Sequence, residues 1–443
     1  MNARILVIPA LSLAAIALSL QLSPDTRRAP QAEVEVAAVA GDDTTWNREL
    51  ALLEDQLAAR RERATKSGSW TDWEAVSNFE SEHARLSGDY ASYVRAGDAL
   101  ETAFAMAPEG AGPFASRASL NMRLHRLSRV EADLQALEQA AVVTRRDHNR
   151  IKGIRADIAF YSGDMKTAKI LYTEVASAEP TVRSLAALAR LAWKTGDFIE
   201  ADLMLDRAEE RAPSGTASDR AWLKLVRGLM RLDQDRLDDA LAMYEEGLEI
   251  QPGYWLLEEH IAEVVMLKGD TERALRLYED LVARTSNPEF MDQIASIWRD
   301  RGDHSRFAMW RDRAARVYKE RLKLVPEAAI GHALDHYLEL EEDYDYALTL
   351  AVKNHETRPG GEAKEKLVAA LLLTGDLQTA HKTAAEMIDG GWRTADALAL
   401  SALAHEAVGL EERANQDAAA ANKIARHASE RADWVREAMQ VAL

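Results

Sequence analysis

Residues 163–180, GDMKTAKILYTEVASAEP, are written again at 196–213 as GDFIEADLMLDRAEERAP. Both copies open on Gly-Asp, place an alanine five residues after the glycine (Ala168, Ala201) and close on a proline seventeen after it (Pro180, Pro213). Tyr172 or Leu205 stands nine residues after the glycine, and Val175 or Ala208 twelve after it. The copies start 33 residues apart. A fixed period of this length is the signature of a solenoid of stacked helical units. Each residue type has a physical job in such a unit. Glycine takes the left-handed turn between two antiparallel helices without a Cβ clash. Aspartate caps the second helix by accepting its free amide hydrogens. Alanine lets two backbones approach at the helix crossing, and proline stops the helix.

The same punctuation runs along the chain. Turns are expected at Gly163, Gly196, 233–235, Gly269, Gly302, 341–343, Gly375 and Gly409. Small residues follow at Ala168, Ala201, Ala240, Ala274, Ala347, Ala380 and Ala414, with Phe307 breaking the series. Prolines close units at Pro180, Pro213, Pro252 and Pro359, with Pro288 two residues late. Upstream, the apolar spacing predicts one helix over 45–63, a pair over 71–86 and 89–106, and a degenerate pair over 113–142 turning near Leu127 and Ser128. The 233–235 turn is two residues longer than the repeat, and the helix after Arg311 runs past its expected stop.

First helices of the units repeat a pattern of their own. Leu185, Leu188, Ala189 and Ala192 fall at positions four, seven, eight and eleven, and Met291, Ile294, Ala295 and Trp298 match them. On these residues the chain resembles the tetratricopeptide repeat (TPR) family over about residues 149–426, and more loosely over 71–145. The resemblance implies an all-α fold, a right-handed superhelical α-solenoid of antiparallel helix pairs, and a binding scaffold rather than an enzyme. The expected plan is a signal peptide or anchor (1–22), a flexible linker (23–43), degenerate helix pairs (44–145), a regular array (146–326), a second stretch (327–426) and a capping helix (427–443).

In that family, positions two, five, nine, twelve and thirteen of each first helix line a concave groove. Carried over, they give Arg150, Asp157, Phe160 and Tyr161, then Arg183, Arg190, Trp193 and Lys194, then Arg220, Arg227 and Arg231. Later units give Glu259, Glu263, Glu289, Asp292 and Asp300. The expected groove is basic and aromatic at one end, fit for an acidic protein or peptide, and acidic at the other.

Composition narrows the function classes. Over 443 residues the formal charge is −18, which argues against nucleic acid, whose binding rests on neutralising phosphates. Cysteine is absent, so disulfides, thiolate chemistry and Cys-ligated metals are excluded. Arg4 precedes the apolar run 5–22, which reads as a secretory signal or short membrane anchor. Ala38-Val39-Ala40 matches a cleavage site but lies far downstream. The expected location is exported, periplasmic or extracytoplasmic, with membrane contact only through the N-terminal segment.

Chemical constellations are sparse. His332 and His336 stand four apart on a predicted helix, with Glu339 one turn on, which is the spacing of a metal site. The competing register puts Ile330, Ala333, Leu334 and Tyr337 in the core and both histidines outside the apolar stripe. Asp233, Asp235, Asp238 and Asp239 lack the turn glycine and terminal glutamate of a calcium loop and read as a capped turn. The segment 339–345 reads the same way. No nucleophile elbow, phosphate loop or dinucleotide fingerprint occurs, so no cofactor is expected. The reading is a non-enzymatic scaffold holding a protein or peptide in its groove. The alternatives are a metal-handling or hydrolytic protein using the His332 helix, and a self-associating assembly factor.

Overall fold

A computed structural model of the chain describes residues 45–139, 145–212 and 216–442. The export segment and linker expected over 1–43, and Pro213, lie outside the described residues. The described residues form 22 α-helices and no strand. In chain order these are α1 (Thr45–Ser67), α2 (Trp70–Ser87), α3 (Tyr90–Met106), α4 (Phe114–Arg123), α5 (Leu127–Glu138), α6 (Arg145–Tyr161), α7 (Met165–Ala178) and α8 (Val182–Lys194). Then come α9 (Phe198–Arg211), α10 (Ala217–Asp233), α11 (Leu237–Ile250), α12 (Trp255–Leu267), α13 (Thr271–Thr285), α14 (Pro288–Asp300) and α15 (His304–Leu324). The chain ends with α16 (Pro326–Glu339), α17 (Tyr344–Thr357), α18 (Gly361–Leu373), α19 (Leu377–Asp389), α20 (Ala395–Ala407), α21 (Glu411–Ile424), a 3-10 turn (Ala428–Ala432) and α22 (Asp433–Ala442).

The repeat residues do the jobs their chemistry suggests. Gly163 and Gly196 both sit at φ 84°, in the left-handed region. The next residue caps: Asp164 accepts from the Thr167 amide at 3.0 Å and Asp197 from the Glu200 amide at 3.0 Å. Asp270, Asp303, Asp343 and Asp376 repeat the bond. Ala168, Ala201, Ala240, Ala274, Ala347 and Ala380 are fully buried where paired helices cross. Units without a turn glycine force another residue into its place. His125, Asp235 and Glu342 hold φ of 58°, 55° and 53°. The degenerate pair therefore turns at His125, two residues before the expected position, because α4 stops at Arg123. The helix after Arg311 does run long, and Val325 closes α15 while opening α16.

The units do not form an open spiral. Trp46 stacks on Tyr254 with ring centroids 4.6 Å apart, and Gln251 donates to Glu49 at 2.9 Å. Arg126 pairs with Glu327 at 3.1 Å, and Arg358 reaches His125 at 3.2 Å. The Arg393 amide donates to the Lys194 carbonyl at 2.8 Å, and Arg431 donates to Asp235 at 2.7 Å. The side-chain hydrogen bonds among these join residues 196 to 233 positions apart. A second winding, beginning near Pro252, thus rests on the first. The approach is close enough to need glycine: a Cβ on Gly360 would lie 2.7 Å from the Tyr161 carbonyl oxygen.

This stacking buries helices that a single winding would leave half wet. Leu367 through Leu373 of α18 are all buried. The terminal helix α22 packs against α18, with Val435 fully buried. Trp434, expected in the cap, is 37% exposed instead.

Candidate functional site

The expected basic end of the groove is occupied by the protein itself. Phe160 and Tyr161 are 4% and 5% exposed, and Trp392 of the second winding packs on Phe160 at 5.8 Å. Arg190 lies beneath them. It donates to the Tyr161 hydroxyl at 2.9 Å, the Tyr172 hydroxyl at 3.2 Å and the Asp157 carboxylate at 3.3 Å, with its guanidinium 4.6 Å over the Phe160 ring. Trp193 is buried, and its Nε1 donates to Asp233 at 2.7 Å. Lys194 sits 3.9 Å over the Trp193 ring and 5.6 Å from the Trp392 ring. Arg227 pairs with Asp202, Asp206 and Glu209, and Arg231 with Asp202 at 2.6 Å. Only Arg150, Arg183 and Arg220 keep exposed side chains. The expectation of an acidic ligand anchored by Phe160, Tyr161, Arg190 and Trp193 is therefore corrected. Position numbers describe one winding, and here the next winding covers it.

The His332 and His336 pair is also separated by its partners. His332 Nδ1 engages Glu289 at 2.7 Å, and His336 Nδ1 engages Asp292 at 2.8 Å. Tyr318 donates to the other Asp292 oxygen at 2.8 Å. Each imidazole thus clips α16 to α14, and Glu339 joins neither contact. Among the described residues no group of three His, Asp or Glu side chains is placed to hold a metal. Ile330, Ala333, Leu334 and Tyr337 do take the core positions, but His336 is buried with them at 1% exposure. A buried carboxylate on the neighbouring helix lets a polar residue occupy that register.

At the acidic end the wall stays open. Between α2–α4 of the first winding and α12–α16 of the second lies a cavity of about 80 Å³. Its aromatic lining is Tyr90, Tyr93 and Trp255, and its carboxylates are Glu259 and Glu289. Burial works against the Glu289 charge, but His332, Arg321 and Lys366 outweigh it and hold the carboxyl down at about 2. Glu259 goes the other way. Burial pushes it up to about 8; His260 opposes the rise, while Glu289 and Glu263 add to it. Its Oε2 is buried and accepts no hydrogen bond from the described residues.

Each guanidinium group around the cavity has a partner, although the buried Arg123 Nη1 makes no hydrogen bond to the described residues. Arg85 bonds both Glu82 oxygens at 3.0 Å. Arg321 donates to Asn287 at 2.9 Å and lies 4.1 Å over the Tyr90 ring. Arg123 is bonded to Tyr93 and drawn to Glu82. The repeat positions mark Glu259 and Glu289 but not Tyr90, Tyr93, Arg85 or Arg321. Those four come from elements about 200 residues away from Glu289 or from a second helix, where the repeat assigns no lining role.

No protein-family model matches the sequence, and no curated protein matches it. Solved structures do match. A human IFIT1 dimer with m7Gppp-AAAA is 14% identical, covering 86% of this chain and 96% of that one, with a TM-score of 0.39. A tetratricopeptide repeat protein from Parabacteroides merdae is 17% identical, covering 59% of this chain and 98% of its own, with a TM-score of 0.33. The Cut9–Hcn1 hetero-tetramer of the APC/C is 11% identical over 90% and 95%, with a TM-score of 0.36. With glycine-turned, aspartate-capped, alanine-crossed helix pairs recurring through the described residues, the chain is an all-α, TPR-like solenoid.

Proposed function

We propose that this chain is a non-enzymatic TPR-type scaffold that holds a protein or peptide partner at the seam between its two windings. The observation carrying this reading is the cavity among α2–α4 and α12–α16, where aromatic faces and a carboxylate with an unsatisfied oxygen meet between the two windings. Aromatic side chains in a partly desolvated pocket are the usual anchors of an interface. The scaffold would work outside the cytoplasm, exported or tethered by the apolar run 5–22. Fractionation of cells expressing the full chain, with N-terminal sequencing of the product, tests that location; a cytoplasmic product with an intact N-terminus would remove it.

Partner binding is tested by affinity purification of the full chain beside two variants. Glu259→Arg alters the cavity, while Ile199→Glu alters an 86% exposed position on the second helix α9. The expected result is one partner recovered with the wild type and with Ile199→Glu, and lost with Glu259→Arg. A partner that ignores Glu259→Arg and is lost with Ile199→Glu would place binding on the outer face.

A further inference from the structure

We propose that the seam cavity takes up a glutamate side chain of the partner, its carboxylate held by the guanidinium groups of Arg85, Arg123 and Arg321. The Tyr93 and Trp255 rings are the walls for its stem. This rests on the scaffold reading above. It keeps the ligand polarity that the sequence suggests but moves the binding place from the covered groove to side chains that meet only because the windings stack.

Charge balance selects an anion. Three guanidinium groups line the cavity, from α2, α4 and α15. Of the two lining carboxyl groups, Glu289 is held ionised and is engaged by His332 at 2.7 Å. Burial pushes Glu259 up to about 8, so at pH 7 it is mostly neutral and cancels little of the arginine charge. Outside the lining, Glu82 answers Arg85. Three guanidinium charges thus face two carboxylates, and a charge taken out of water is costly unless a counter-ion meets it.

The hydrogen bonds leave donors for it. Arg321, 7% exposed, donates to two neutral oxygens, Asn287 Oδ1 at 2.9 Å and the Gly88 carbonyl at 3.4 Å. Arg85 spends Nε and Nη2 on Glu82. Arg123 is bonded to Tyr93, while its buried Nη1 makes no hydrogen bond to the described residues. A carboxylate offers about four acceptor sites and can be shared by two guanidinium forks, whereas an amide supplies acceptors without charge. The walls set the stem. A space of about 80 Å³ admits the end of one side chain and excludes a folded segment. Trp255 is fixed by its Nε1 bond to the Leu86 carbonyl at 3.2 Å, and Arg321 already covers one face of Tyr90. Two methylenes against Tyr93 and Trp255 carry the carboxylate inward.

The formal charge of −18 on the whole chain does not decide against an acidic partner. Exposed charges are screened beyond about 8 Å at physiological ionic strength, while buried guanidinium groups in contact with the ligand are screened far less. The net charge slows the encounter, and the cavity sets the affinity. Arg183, exposed on α8, is close enough to Arg123 for the two charges to act on each other. An acidic segment leaving the cavity therefore meets a further cation on the first winding.

The test is a ligand-detected NMR titration of the full chain at pH 7, which reads weak binding, with three capped tripeptides: Ala-Glu-Ala, Ala-Gln-Ala and Ala-Lys-Ala. The glutamate peptide is expected to bind about tenfold or more tightly than the glutamine peptide, which keeps the shape and lacks the charge, and more tightly than the lysine peptide. Arg321→Gln is expected to remove most of that preference, and Arg321→Lys, which keeps the charge, to retain part of it. Should an Arg321 variant fail to fold by circular dichroism, Arg123→Gln takes its place, and the wild-type comparison decides by itself. Three results would overturn the proposal: no binding of the glutamate peptide, equal binding by glutamine, or preferred binding of lysine. If the glutamate peptide fails while Glu259→Arg, which crowds the cavity, still releases the partner in affinity purification, the carboxylate is wrong and the scaffold reading stands. If both fail, the seam is not the binding site.

Discussion

Arg190 shows what a groove position means once the groove is covered. Its guanidinium satisfies Tyr161, Tyr172 and Asp157 in a space closed by Trp392. Removing it takes the guanidinium away from the buried Asp157 carboxylate, which the Tyr172 hydroxyl still meets at 2.5 Å. Arg190→Met is expected to cost about 3–5 kcal/mol, measured by urea unfolding, and adding Asp157→Leu to recover much of it. An additive pair would show that the two side chains do not act together. Glu259 titrates with the opposite consequence. Its folded pKa, about 8, lies above the unfolded value of 4.5, so the folded state holds the proton more tightly. The stabilisation is complete below about pH 4.5 and is lost as pH rises through 8. Glu259→Gln, which never ionises, is expected to gain on the wild type by about 2–4 kcal/mol between pH 5 and pH 8. A constant difference between the two proteins across that range would contradict it. Of these two residues the sequence marks the position and the charge but not the surroundings. Whether Arg190 meets solvent or Trp392 depends on a residue roughly 200 positions later, which no repeat period encodes.

At the scale of helix and turn the sequence is far more legible, because the forces are local. Glycine, aspartate and alanine at fixed offsets satisfy the turn, the cap and the crossing within one unit, and almost every expected pair is found. The misses are units where another residue substitutes. His125 turns α4 into α5 in a left-handed conformation, and nothing about histidine announces that. Such substitutes are strained, so Glu342→Gly, at an exposed turn with φ 53°, is expected to stabilise the protein by about 0.5–1 kcal/mol in urea midpoint measurements. Two turn glycines separate local from long-range demands. Gly302 has open space beyond its Cα, so Gly302→Ala costs only the left-handed φ, roughly 1 kcal/mol. On Gly163 a Cβ would also press the Pro359 carbonyl oxygen at 3.1 Å. Gly163→Ala is expected to cost roughly 1 kcal/mol or more beyond Gly302→Ala, as overpacking does. Equal costs would mean that the turn tips do not touch the second winding.

Across the whole molecule, stacked windings change how a repeat protein behaves. An open solenoid unfolds as neighbouring units coupled in one dimension. Here units six or so apart also meet, through Trp46 and Tyr254, Arg126 and Glu327, and Arg431 and Asp235. The same closure removes the open groove and leaves the seam cavity as the candidate site, so the functional reading depends on it. The chain contains no cysteine, which makes the closure directly measurable. Thr195 adjoins Gly196, whose Cβ would lie 3.6 Å from the Arg393 Cβ. With Thr195→Cys and Arg393→Cys installed together, a short bismaleimide is expected to cross-link the folded monomer within one chain, as read by peptide mass spectrometry. Either cysteine alone should give no such product. A folded double variant that reacts at both cysteines without joining them would show that the windings stand apart, and the account of the site would fall with them.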